Sequence, residues 1–135
     1  MKIKYREGYK YQLAETYSLI TPVIGYEILD QFYVLQRNGY LIIKSGYAWD
    51  GASGPTIDTK SSMRPSLVHD VFCQAQRAGQ INHKYWEHVI NDFFYKMCVD
   101  DGMCHVRASI WKAGVEFADA GDPEQGVSNP VQEAP

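Results

Sequence analysis

His69 and Cys73 stand four residues apart, and so do His88 and Asp92. Side chains at that spacing share one face of a helix, and the three residue types, His, Cys and Asp, all bind zinc. If their segments form antiparallel helices joined by a turn near residue 80, His69 is level with Asp92 and Cys73 with His88. Two chemistries follow. One is a metal site. The other is a general-base histidine, which needs a partner to fix its tautomer; Asp92 is the candidate partner for His69. Asp70, about 100° further round the helix, would then face a metal, a water or a loop. The helical wheels oppose a full four-ligand convergence, because each pair lies off the apolar face of its own helix. The ordinary alternative is a surface histidine, a small buried thiol and helix-surface ion pairs.

A second polar group precedes these helices. Asp50 and Ser53 lie in Asp50-Gly51-Ala52-Ser53-Gly54-Pro55, where Asp50 is a candidate ligand or base and Ser53 a candidate nucleophile or hydrogen-bond donor. Short polar side chains beside Gly also cap their own turns, and no Gly-x-Ser-x-Gly elbow is present. Arg64 is placed to clamp an anionic substrate, or to pair with Asp58 or Asp70. The candidate catalytic set is therefore Asp50, Ser53, His69, Asp70 and Asp92, with Arg64 on the substrate. The candidate metal set is Asp50, His69, Asp70 and Asp92, and a divalent ion is the candidate cofactor.

The elements that must position these residues divide the chain in two. Eight of the ten tyrosines fall before residue 50, in short aromatic and β-branched runs that suit a pleated, half-buried surface. Asp30-Gln31 separates the runs Tyr26–Leu29 and Phe32–Gln36. Asn38-Gly39, a strong hairpin signal with positive φ expected at both positions, separates Phe32–Gln36 from Tyr40–Lys44. The expectation is a meander of four or five antiparallel strands, then a loop over 50–64. Helix one is expected from Pro65, which suits a first turn, to Ala78, with Leu67, Val68, Val71, Phe72 and Ala75 on its core face. Helix two should follow Asn82, an N-cap, and run to Asp100, with Trp86, Val89, Ile90, Phe93, Phe94 and Met97 inward. Helix three should span 104–120, with Val106, Ile110, Ala113 and Phe117 on one apolar face and Trp111, Val115 and Ala118 on another. The fold class is α+β: an N-terminal antiparallel β meander and a three-helix C-terminal half. Residues 1–120 are expected to form one domain. Residues 121–135, with three prolines and only valines as sizeable apolar side chains, are expected to form a flexible tail.

The chain has 135 residues, 45% hydrophobic, with a net charge of −3. There is no basic stripe of the kind a phosphate backbone requires, so no nucleic-acid partner is expected. No apolar run approaches the roughly 20 residues that span a bilayer. The first residues lack the apolar core of a secretory signal. The three cysteines, Cys73, Cys98 and Cys104, form no Cys-x-x-Cys pair and suit a reducing compartment.

Several segments, in order, resemble a phage-associated family, domain-of-unknown-function family 1353. They are Gly46-Tyr47-Ala48-Trp49-Asp50-Gly51-Ala52-Ser53, then Arg64-Pro65-Ser66-Leu67-Val68-His69-Asp70, then Asn91-Asp92-Phe93-Phe94, then Gly102-Met103 before a last helix. The likeness covers about residues 25–120. Its recurrent polar positions fall on Asp50, Ser53, Arg64, His69, Asp70 and Asp92. The chain departs from the pattern at Asn91, where the family usually has Ala, and at Gly54, where an aliphatic residue is usual. The resemblance implies a small phage or prophage protein of the host cytoplasm or the virion, with other phage proteins as partners, and supplies no reaction.

Three functions compete at this level. The first is a hydrolase with a His/Asp site, metal-assisted in one version. The second is a virion structural or assembly protein whose polar set is an internal hydrogen-bond network. The third is a host-takeover binding module that offers its Tyr-rich sheet face.

Overall fold

A computed structural model describes residues 5–8, 10–49 and 60–118. Among the described residues, an antiparallel strand meander comes first and three helices follow, so the chain is α+β as expected. The described strands number seven rather than four or five, and lie in two sheets. In the first sheet, β2 (Lys10–Leu13) lies between β1 (Tyr5–Gly8) and β7 (Ala48–Trp49), with Tyr11 opposite Trp49. The second has the order β3 (Tyr17–Ile20), β6 (Tyr40–Ile43), β5 (Tyr33–Leu35), β4 (Ile28–Leu29). Alternation sets its inner face: Tyr33, Leu35, Leu41 and Ile43 are buried, while Val34 and Ile42 between them are only half-buried.

The Asn38-Gly39 hairpin is real, but its turn is not the expected two-residue form. The Gln36 N–H bonds the Tyr40 carbonyl, and the Gly39 N–H bonds the Gln36 carbonyl. These bonds enclose a three-residue loop that closes through Gly39 at φ 91°. The Asn38 side chain accepts from the Tyr40 N–H. Gly39 has a second constraint: a Cβ there would collide with the Thr21 carbonyl. That close approach exists because both the N–H and the hydroxyl of Thr21 donate to the Gly39 carbonyl, at 2.8 and 2.9 Å.

Helix α1 spans Lys60–Arg77 and starts earlier than expected, so Pro65 lies inside it. The ring removes one helical N–H, and just beyond it the Ser66 hydroxyl donates to the Met63 carbonyl at 3.0 Å. The expected core face holds: Leu67, Val68, Val71, Phe72 and Ala75 are all buried. After Arg77 the Gln80 N–H reaches the Ala75 carbonyl and the Gly79 N–H the Gln76 carbonyl, a Schellman ending. Helix α2 spans His83–Asp100, with the Asn82 side chain accepting from the Tyr85 N–H at 2.8 Å as its N-cap. Helix α3 spans His105–Ala118.

The first core unites both sheets with α1 and one side of α2. The second lies between α2 and α3 and contains Phe94, Cys98, Met103, Ala108 and Trp111. Here the expected face of helix three is corrected. Val106 and Ile110 are exposed, and burial falls on Ala108 and Trp111. The indole is the largest apolar surface on α3, and its burial sets the rotation of the helix. The region 50–59 and the segment 119–135 lie outside the described residues.

Candidate functional site

Helix α1 carries polar side chains on two of its faces. Toward the sheet, Ser66 accepts from the Trp49 indole N–H at 3.1 Å, and Gln74 accepts from the Tyr47 hydroxyl at 3.0 Å. Just past the helix, Gln80 accepts from the Tyr33 hydroxyl at 2.7 Å. Tyr17, Tyr33 and Tyr47 are buried, so much of the tyrosine set expected on an open sheet face points inward. Burial, then the nearby Asp70 carboxylate, raises the Tyr47 pKa well above its ordinary value. This phenol stays neutral.

Toward α2, His69 reaches a different partner from the one expected. Its Nε2 lies 2.8 Å from Oδ1 of Asn91, not against Asp92. The equal-level argument placed the contact one residue too far along α2, and one residue is about 100° of helix. That rotation separates a buried position from an exposed one. Asn91 is 6% exposed, whereas the Asp92 side chain is 53% exposed. Asp92 turns instead to Lys112 of α3, at 2.7 Å, and to His88, at 3.5 Å. The Asp92 bond is the main cause that raises the Lys112 pKa. His88–Asp92 and His69–Cys73 therefore lie on different sides of the helix pair.

The other ring nitrogen of His69, Nδ1, lies 3.4 Å from the Cys73 sulfur. The edge of Phe94 packs against the ring, centroids 5.2 Å apart and planes at 66°. His69, Cys73 and Asn91 are all buried. Burial lowers the His69 pKa from 6.5, outweighing the Asn91 bond, which acts in the opposite direction; the Arg77 charge lowers it further. A neutral imidazole has one N–H. The Asn91 oxygen can only accept, so the proton sits on Nε2 and Nδ1 keeps its lone pair; the Cys73 sulfur, 4.0 Å from Nε2 as well, lies over the ring rather than along that lone pair. The arrangement is a neutral base with its tautomer fixed by a neutral amide.

Arg64 is neither free for a substrate nor paired with Asp70. Its guanidinium grips Asp101, at the C-cap of α2, through contacts of 2.6 and 2.9 Å, and donates to the Tyr17 hydroxyl at 3.1 Å. The Asp101 bond raises its pKa further. This is a brace between α1, α2 and β3.

Asp50 and Ser53 lie outside the described residues. Of the rest of the candidate metal set, Asp92 is turned away, and both nitrogens of His69 already have neighbours. Among the described residues, no group of three or more His, Cys, Asp or Glu side chains is placed to hold a metal ion. Nor, among them, is any helix long and apolar enough to cross a membrane. Asn91 is the residue that sequence reasoning passed over. The available signal was its place next to a position already level with His69. Comparison of the chain with protein-family models, with curated proteins and with solved structures finds no match.

Proposed function

We propose that the chain is a small phage- or prophage-encoded hydrolase in which His69 is the general base and Asn91 its positioning residue. The phage setting rests on the ordered resemblance of its Asp-Gly-Ala-Ser, Arg-Pro and His-Asp segments. The observation that carries the chemistry is the 2.8 Å Nε2–Oδ1 contact, which leaves a buried, uncharged Nδ1 able to accept a proton. A histidine already protonated at neutral pH would have no such lone pair. A chromogenic ester such as p-nitrophenyl acetate tests this. His69→Ala should lower turnover by about 10²-fold or more, the usual share of a general base. Asn91→Ala should reduce it less, without removing the base.

A second reading is favoured by a separate observation. Trp49, Tyr47 and Tyr33 each fasten the sheet to α1 or its end by a hydrogen bond, so the His69 bond to α2 fits the same locking scheme. In that reading the chain is a virion structural or assembly protein. His69→Ala would then lower the thermal midpoint and leave ester turnover at the level of the buffer reaction, as it would also be for the wild type. Detection of the chain in purified virions by mass spectrometry would support this second reading.

A further inference from the structure

We propose that the groove beside the first turn of α2 is a docking site for the chain's own acidic, proline-containing C-terminal segment, residues 121–135. Among the described residues, Ile24, Tyr26, Asn82, Lys84, Tyr85 and Trp86 line this open groove of about 850 Å³. His69 does not line it, so the site is independent of the hydrolase reading.

The groove is walled by rings. Trp86 meets Tyr85 edge-on, with centroids 5.0 Å apart and planes at 78°, and meets Tyr26 at 6.1 Å and 68°. The Tyr26 hydroxyl accepts from the Asn82 N–H at 3.2 Å, which ties that wall to the start of α2. Tyr85 is 70% exposed and Ile24 55%, so apolar surface stands open here. Aromatic walls of this kind take proline rings in a polyproline II segment, whose shape is set before binding. The local charge is positive. Among the described residues, no ion pair engages Lys84, and the positive end of the α2 dipole is adjacent. The sequence neighbours Glu27 and Glu87 already face Arg37 and His83.

Residues 121–135 carry the complement. They contain Pro123, Pro130 and Pro135, the acids Asp122, Glu124 and Glu133, and no Lys or Arg. Residues three apart share one side of a polyproline II helix, so Pro130 seated on the Tyr85 and Trp86 rings turns Glu133 toward Lys84. The topology delivers the segment to the groove. Helix α3 runs back along α2, with Tyr95 bonded to His105 at 2.8 Å and Asp92 paired with Lys112 at 2.7 Å. Continued to Ala118, where α3 ends, that pairing returns the chain to the first turn of α2. The stretch from Ala118 to Pro130 reaches up to about 40 Å, against a helix diameter of roughly 10–12 Å. A tether this short gives an effective concentration of about millimolar, so a weak contact suffices.

Nitrogen-15 relaxation of the full chain tests this. In the wild type, heteronuclear NOE values for the amides of 129–133 should approach those of α2. Tyr85→Ser, which removes an exposed ring, should drop them to the values of a free terminus, and so should Pro130→Ala. Lys84→Glu and Glu133→Lys should each lower them, and the double variant should recover part of the loss. Free-terminus values in the wild type, or rigid values that Tyr85→Ser leaves unchanged, would overturn the proposal. Sedimentation equilibrium on the same samples separates the occupants. A monomer with an ordered segment supports docking within one chain. A dimer that Tyr85→Ser dissolves puts a second copy's segment in the groove and overturns docking within one chain.

Discussion

The two faces of α2 treat their polar residues in opposite ways. On the α1 side, Asn91 and His69 are buried and uncharged, held at 2.8 Å, with the Cys73 sulfur packed against the imidazole ring. On the α3 side, Asp92, His88 and Lys112 form ion pairs, with Asp92 and His88 more than half exposed. The residues a chemist would first select for catalysis, a carboxylate beside a histidine, fall on the solvent side. The difference follows from desolvation. Removing a carboxylate from water is costly unless it is fully compensated, whereas an amide needs only its hydrogen bonds. A helix buried on this line accepts Asn91 more readily than Asp92, and His69 stays neutral as a result.

Substitutions in buried and exposed polar pairs should differ in cost. Arg64 tests the third case, a charge pair kept largely from water, with side-chain exposures of 13% and 12%. Arg64→Met strips Asp101 of its bidentate partner and should cost about 3 kcal/mol in denaturant unfolding, near the lower end for a broken buried pair. Asn91→Leu leaves the His69 Nε2–H without its acceptor and should cost about 1–3 kcal/mol. Asp92→Asn, on the exposed side, should cost less than about 1 kcal/mol. If Asp92→Asn proves as costly as Asn91→Leu, the distinction between the two faces is wrong.

The contrast also has a pH signature. In the unfolded chain His69 takes up a proton near pH 6.5; in the folded protein burial lowers its pKa, so the proton binds only at lower pH. Between these values the unfolded state holds more protons, and stability falls as pH falls. The slope from this one group is at most about 1.4 kcal/mol per pH unit. His69→Gln should remove that component from unfolding curves measured between pH 7 and 5. An unchanged slope would mean that His69 titrates alike in both states.

Much of the scaffold was legible in the sequence because it follows period and caps. Leu67, Val68, Val71, Phe72 and Ala75 recur at helical spacing and are all buried. Asn82 caps α2, and Gly79 follows α1. The hairpin at Asn38-Gly39 was visible, but its loop length depended on Thr21 gripping the Gly39 carbonyl, a contact 18 residues away. The choice between two apolar faces of α3 was not legible either, since both satisfy the same period and only packing against Phe94 and Cys98 selects Trp111 over Ile110. His69 and Cys73 were singled out correctly as neighbours. Their partner was missed because the register between two helices cannot be read to one residue from turn length, and one residue separates Asn91 from Asp92.

His69 is a buried, neutral base whose tautomer Asn91 sets. Nitrogen-15 NMR of the His69 ring measures this directly. The expected spectrum shows a proton on Nε2 and none on Nδ1 at pH 7, persisting below pH 6.5, with Asn91→Leu disturbing that tautomer. A proton on Nδ1, or a doubly protonated ring at pH 7, would contradict it.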